Sequence, residues 1–199
     1  MRKTYFVVLL AALASCQSST QEETAATSSA SAGQEKGQPA SGQPRQTQHI
    51  VQRTHLFSSP QSPDYFRLVL RGDSITQGQV HFTITTQDGR LIHEEHFPAA
   101  DLEASLVYEM EGATVTQEQR AAYILKRMEE FVEPKDFISP AIAPNAPAQT
   151  SFVSETAWKK IQANPKAVGF KYLLGKEDGR LLVYDPEQKK AVRYGSFGG

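Results

Sequence analysis

The sequence has almost no cysteine. Of its 199 residues, only Cys16 carries a thiol. A disulfide needs two thiols, and a multi-cysteine metal centre needs at least as many, so the sequence excludes both within one chain. Residues 17–199 also lack a cysteine nucleophile. Their stability must therefore come from an ordinary hydrophobic core.

The chain also lacks a strong excess of charge. Lys and Arg together number 21, Asp and Glu together number 22, and no dense basic run is present. Electrostatic binding to nucleic acid depends on clustered Lys and Arg side chains. The composition therefore disfavours nucleic acid as a partner, and it equally disfavours a polybasic contact with a membrane surface.

Long apolar runs are absent as well. The apolar segment from Tyr5 to Ala14 has ten residues. A helix needs about 20 apolar residues to span a bilayer, so this segment is too short to cross one. Arg2 and Lys3 precede it. A short basic segment followed by an apolar stretch of this length is typical of a secretory signal peptide.

The apolar segment ends in Leu13-Ala14-Ser15-Cys16. This ending resembles the lipobox of bacterial lipoprotein precursors. The resemblance implies that residues 1–15 are a signal peptide, that the Cys16 sulfur is alkylated with diacylglycerol, and that cleavage before Cys16 frees an amino group that is acylated in turn. We therefore expect Cys16 to be the lipidation site.

Lipidation would make the membrane itself a partner. Each buried CH₂ group contributes about 0.8 kcal/mol, so two or three acyl chains hold a protein firmly at a bilayer. Gln17 follows the cysteine. In the lipoproteins of Gram-negative bacteria, a residue other than aspartate at that position implies the outer membrane. The expected location is thus the cell envelope.

Residues 17–48 contain no Val, Ile, Leu, Met, Phe, Trp or Tyr. Such a segment cannot bury enough apolar surface to offset the entropy lost on ordering. We predict that residues 16–48 form a disordered tether behind the lipidated cysteine. The composition changes at His49, and the remaining residues suffice for a single domain, 49–199, of about 150 residues.

The domain is predicted to be α+β: one antiparallel sheet of about six or seven strands, two helices and a C-terminal β-meander. Apolar alternation and turn residues predict strands at 50–57, 65–70, 79–86, 91–97, 167–175, 181–184 and 191–194, with turns at 88–89, 178–179 and 185–186. Apolar residues at helical spacing predict helices at 117–132 and 154–163, the first opened by a capping box of Thr116 and Gln119.

The segment Gly72–Gly78, GDSITQG, resembles the first sequence block of the GDSL-type (SGNH) esterases. The resemblance would make Ser74 a nucleophile whose backbone amide helps form the oxyanion hole. The family's Gly-x-Asn-Asp block is absent, and no histidine follows His96 to serve as the base. The alternation after the block also predicts a strand where that family has a helix. We interpret the match as coincidental and the segment as a polar connection between strands.

His81, Glu94 and His96 are a second candidate site. If the loop at Asp88-Gly89 has two residues, His81 lies opposite His96 with Glu94 diagonal on the same face, which is a two-histidine, one-carboxylate outline for a divalent metal. A three-residue loop would shift the register by one and separate the set. The alternative is a solvated sheet face without a metal.

Tyr172, Tyr184 and Tyr194 lie on the predicted meander. They could form an exposed aromatic strip that binds a protein or a glycan. The alternative is that they are half-buried strand tyrosines, which are common.

These observations predict a membrane-anchored cell-envelope lipoprotein whose soluble domain is a binding or structural module, with an envelope protein or a glycan as the possible partner and no cofactor. The alternative is a small esterase-like or metal-assisted hydrolase that uses Ser74 or the pair His81 and His96. The absence of a complete nucleophile and base set favours the first interpretation.

Overall fold

The computed structural model of the protein describes residues 46–110, 112 and 114–198. The predicted signal peptide, Cys16 and most of the predicted tether lie outside these residues. The first strand begins at Thr47, two residues before the predicted start of the domain at His49.

The described strands form two antiparallel sheets of four strands each. In the N-terminal sheet they follow in chain order: β1 (Thr47–His55), β2 (Asp64–Arg71), β3 (Gln79–Thr85) and β4 (Leu91–Pro98). The C-terminal sheet contains β5 (Phe137–Ile138), β6 (Gly169–Leu174), β7 (Asp178–Asp185) and β8 (Lys190–Phe197). The prediction of antiparallel strands with helices is confirmed, but the prediction of one sheet of six or seven strands is wrong.

Three α-helices occur in the described residues: α1 (Ala100–Glu103), α2 (Gln117–Glu129) and α3 (Glu155–Gln162). Two 3₁₀ turns accompany them, at Leu106–Tyr108 and Pro134–Asp136. The two predicted helices are α2 and α3, whereas α1 is a single turn without a periodic signal. None of the helices in these residues has the length and apolarity needed to cross a bilayer.

Helix α2 begins at the predicted capping box. The Thr116 side chain accepts a hydrogen bond from the backbone amide of Gln119 at 3.2 Å, and the Gln119 side chain accepts one from the amide of Thr116 at 2.8 Å. Its apolar stripe directs Ile124 and Met128 into the core. Two donors that a helix start normally leaves unpaired are thus satisfied, which stabilises the first turn.

Facing aromatic side chains of the two sheets form the main core. Phe66 of β2 and Phe170 of β6 have ring centroids 5.1 Å apart, and those of Phe82 and Tyr172 are 5.6 Å apart. Phe131, just beyond α2, lies 5.2 Å from Phe82. The inner faces of both sheets and the apolar side of α2 therefore share one cluster.

The predicted C-terminal meander is present, because β6, β7 and β8 pair consecutively. One predicted turn is wrong: Asp178 and Gly179 begin β7, and the chain reverses at residues 175–177 instead. Gly175 has a φ of +64°, a conformation that glycine adopts without a steric cost. The left-handed residue that the turn needs is therefore Gly175, not the Asp-Gly pair.

Candidate metal cluster and candidate binding groove

Ser74 lies in the loop of residues 72–78 that joins the neighbouring antiparallel strands β2 and β3. Its side chain is half-buried. All five histidines belong to the described residues, and none forms a hydrogen bond or ion pair with Ser74. A serine hydroxyl without a neighbouring base is a poor nucleophile. This placement supports the interpretation of the segment as a connection between strands.

His81, Glu94 and His96 lie together on the outer face of the N-terminal sheet, which points away from the core. His81 on β3 is directly opposite His96 on β4, and their stacked imidazole rings have centroids 4.1 Å apart. Nε2 of His81 lies 2.8 Å from Oε1 of Glu94, and Nε2 of His96 lies 3.8 Å from the same oxygen. Three atoms that could ligate a metal thus lie within 4.8 Å of one another.

The pairing was expected only for a two-residue loop, but the loop between β3 and β4 is the longer alternative. Thr86 and Arg90 close a loop of three residues, 87–89, through a backbone hydrogen bond of 2.9 Å. Gly89 at its end has a φ of +86°. A three-residue loop by itself would move His81 out of alignment with His96.

A bulge in β4 restores the alignment. Thr85 pairs with Leu91, but Ile84 pairs with His93, so Ile92 is an extra residue on β4. The Ile92 side chain is buried in the core, and this burial favours the bulge. The expectation that a three-residue loop would separate the histidine cluster is therefore wrong.

The three tyrosines do not form an exposed strip, so the alternative of covered strand tyrosines is the correct one. Tyr172 is buried between the sheets, and Tyr194 is buried on the opposite face of the C-terminal sheet, 6.2 Å from Trp158 of α3. The strip is absent because the N-terminal sheet covers one face of this sheet and α3 covers the other. Tyr184, near the end of β7, is half-buried and borders a concave surface.

That surface consists of three adjoining concavities of about 580, 320 and 510 Å³, all of which include Tyr184. We call it the Tyr184 groove. Its walls are helix α3, the β1–β2 loop, the β3–β4 loop, the connection from α3 to β6, and the β7–β8 turn. These segments are far apart in sequence, and no single one carries a recognisable motif, which is why sequence reasoning missed the groove.

One end of the Tyr184 groove is mainly apolar. It lies between α3 and strands β7 and β8, and its apolar lining includes Val153, Ala157, Ile161, Val183 and Val192. Lys160 of α3 and Glu187 of the β7–β8 turn form an ion pair at the rim. This end can therefore bury apolar side chains beneath a charged rim.

The β7–β8 turn at this end is held by Asp185. Its carboxylate accepts hydrogen bonds from the backbone amide of Glu187 and from the side chain of Gln188, both at 2.8 Å. Partial burial works to raise the pKa of Asp185, but these hydrogen bonds outweigh that effect and hold the pKa below its ordinary value. The turn is therefore preorganised by a charged carboxylate.

The other end of the Tyr184 groove is polar and includes Ser58, Ser62 and Arg90. The buried carboxylate of Asp64 fixes this end, because it accepts hydrogen bonds from the backbone amide and the hydroxyl of Ser58 at 2.6 and 2.7 Å. A hydrogen bond from Thr86 lowers the pKa of the Asp88 carboxyl in the opposite wall. The polar end thus offers hydroxyl groups and charges of both signs.

A cluster of charged and polar side chains on the inner side of β4 was also not predicted from the sequence. Glu95 forms an ion pair with Arg180 of β7 and accepts a 2.7 Å hydrogen bond from the Tyr172 hydroxyl. His93 lies 3.7 Å from the Glu95 carboxylate. Burial lowers the pKa of His93 to about 4, and the positive charge of Arg180 contributes to the same shift. These contacts join the two sheets, and the group lines none of the three concavities that form the groove.

No family model, no curated protein and no solved structure matches this chain. The two candidate surfaces therefore differ only by what their own chemistry shows. The Tyr184 groove is large and partly apolar, as sites for organic ligands and peptides are. The histidine cluster is small and polar, and suits an ion.

Proposed function

We propose that this protein is a lipid-anchored protein of the cell envelope whose folded domain binds a partner through the Tyr184 groove. The lipobox ending in Cys16 supports the anchoring, and the absence of large apolar side chains in residues 17–48 supports the tether. The observation that carries the binding role is the groove itself, which combines an apolar end with a polar end around one half-buried tyrosine.

The lining of the groove favours a peptide segment of another envelope protein over a glycan. Burial of apolar side chains at the end formed by Val153, Ile161 and Val183 would supply affinity at roughly 25 cal/mol per Å². A glycan presents mainly hydroxyl groups, which would leave that end unused. The serines of the polar end could hydrogen-bond the peptide backbone.

Photocrosslinking in intact cells tests this proposal. A benzophenone amino acid replaces Tyr184 in the lipid-anchored protein, and the same replacement at Tyr108 is the control. Tyr108 is 74% exposed and lies in the 3₁₀ turn after α1, outside the groove lining. We expect a discrete protein adduct from position 184 and none from position 108.

A Cys16→Ser form of the same probe tests the anchor. It should incorporate no labelled palmitate, and the adduct should weaken because the partner is no longer held at the same membrane. An adduct whose added mass is removed by a muramidase would replace the peptide with a glycan. Equal labelling from positions 184 and 108 would contradict the groove as the working surface.

A further inference from the structure

We propose that His81, Glu94 and His96 bind one divalent transition-metal ion of the zinc class on the outer face of the N-terminal sheet. This site is separate from the Tyr184 groove and does not depend on the function proposed for it. Two imidazoles and a carboxylate are ligands that zinc uses, with a further position left for water or another ligand.

The first argument is convergence. Nε2 of His81 and Nε2 of His96 approach the same carboxylate oxygen of Glu94, at 2.8 and 3.8 Å. Ligand atoms around a tetrahedral zinc ion lie about 3.3 Å apart, given bond lengths of about 2.0–2.1 Å. Small side-chain rotations would therefore bring the three atoms, now within 4.8 Å of one another, onto one ion.

The second argument is preorganisation by the backbone. His81 and His96 are paired across two strands whose register is fixed on one side by the β2 ladder and on the other by the bulge at Ile92. Glu94 precedes His96 by two residues on the same strand, so its side chain leaves the sheet on the same face. The ligand positions thus need no movement of the main chain.

The third argument is access and charge. The side chain of His96 is 61% exposed and that of Glu94 is 49% exposed, so an ion can reach the site from solvent. The residues aligned with His81 and His96 on the two other strands of the sheet are Val69 and Ile50, which are uncharged. Glu94 is aligned with Thr83 on β3 and with Arg67 on β2. Arg67 is therefore the charged residue in line with Glu94 on this face, and it lies two strands away.

The ligand set also selects the ion. Calcium and magnesium prefer six or more oxygen ligands, which one glutamate does not provide. Imidazole suits zinc, copper and nickel. The test uses zinc chloride, with magnesium chloride as the ion that should not bind.

Zinc binding is measured by isothermal titration calorimetry on the full-length chain carrying Cys16→Ser, because a free thiolate would bind zinc by itself. We expect one zinc per chain. His96→Gln, His81→Gln and Glu94→Gln should each weaken binding by about 100-fold or more, since even outer-shell partners change metal affinity by about 10- to 100-fold.

His49→Gln is the matched control, because His49 is also paired with a glutamate, Glu129, but has no second histidine beside it. It should leave zinc binding unchanged, and circular dichroism should show that every variant is folded. Stoichiometric binding that survives His96→Gln in a folded protein would overturn the site. So would binding that is lost equally with His49→Gln, or the absence of zinc binding in the parent chain.

Discussion

At the scale of single residues, Tyr194 shows why the tyrosines of the meander are structural and do not form an exposed strip. Its ring is buried beneath α3, and its hydroxyl donates a 2.7 Å hydrogen bond to the backbone carbonyl of Ala141. Burial raises the pKa of Tyr194 to about 12. The phenol therefore holds a loop against the sheet and cannot contact a partner.

The same burial predicts an alkaline loss of stability. An unfolded tyrosine has a pKa of about 10, so between about pH 10 and 12 the unfolded chain releases a proton that the folded chain keeps. The contribution of Tyr194 to the free energy of unfolding should therefore fall as the pH rises through this window, by roughly 3 kcal/mol at most. Below pH 10 this contribution is fully present. Urea unfolding at several pH values between 8 and 11.5 measures the slope.

Tyr194→Phe should make that slope shallower and should also destabilise the protein by roughly 1–3 kcal/mol at pH 7, because the carbonyl of Ala141 loses its donor. Tyr108→Phe is the control, since the Tyr108 ring is exposed. It should change neither quantity. An unchanged alkaline slope in Tyr194→Phe would contradict the assignment.

At the scale of elements, the capping box of α2 should contribute measurably to stability. Thr116→Ala removes the side-chain acceptor for the amide of Gln119 and should lower the free energy of unfolding by about 1 kcal/mol. Loss of the cap should lower the stability of the whole domain, because Ile124 and Met128 of α2 are buried in the main core. Urea denaturation followed by circular dichroism measures it.

Thr114→Ala is the matched control for this prediction. Thr114 is exposed, lies two residues before the cap and has no side-chain hydrogen bond among the described residues. Its replacement should leave stability within about 0.5 kcal/mol of the parent. Equal losses in Thr114→Ala and Thr116→Ala would mean that the segment, and not the cap, is responsible.

The helices and most strands could be predicted because their signals are local. A capping box, an apolar stripe and the alternation of Val80, Phe82 and Ile84 are each contained in a short window. The division into two sheets could not, because strand partners depend on contacts between residues distant in sequence. The choice between exposed and covered tyrosines at Tyr172 and Tyr194 was left open for the same reason, since distant elements cover them.

The histidine cluster could be predicted only in part, because it depends on both local signals and strand register. Alternation placed His81 and Thr83 on the outer face, but the pairing of His81 with His96 depended on the loop length. The structure reaches that pairing through a longer loop and a bulge at Ile92, two features whose effects on register cancel. The pairing was expected only if the loop had two residues, and the bulge that permits it with three residues has no clear signal in the sequence.

At the scale of the whole molecule, the C-terminal sheet belongs to two apolar clusters. Its inner face packs on the N-terminal sheet and α2, and its outer face packs on Trp158 of α3. Leu182 and Val183, neighbours on β7, each contribute to one of them. Neither cluster can lose its packing without exposing a face of the same sheet, so both should unfold in one transition.

Trp158 makes this prediction testable, because it is the only tryptophan and reports on the outer cluster. Ile84→Val removes one methylene from the N-terminal sheet, in the other cluster. We expect it to destabilise the protein by about 0.5–1.5 kcal/mol and to shift the Trp158 fluorescence transition and the far-ultraviolet circular dichroism transition in urea by the same amount.

Val192→Ala provides the reciprocal variant, since Val192 packs against the outer cluster, which includes Trp158. Its effect should also be equal for the two probes. If Ile84→Val shifted the circular dichroism transition and left Trp158 fluorescence unmoved, the two clusters would be separate cooperative units. In that case α3, which forms one wall of the Tyr184 groove, could open without unfolding the sheets, and partner binding would then be coupled to the stability of α3 alone.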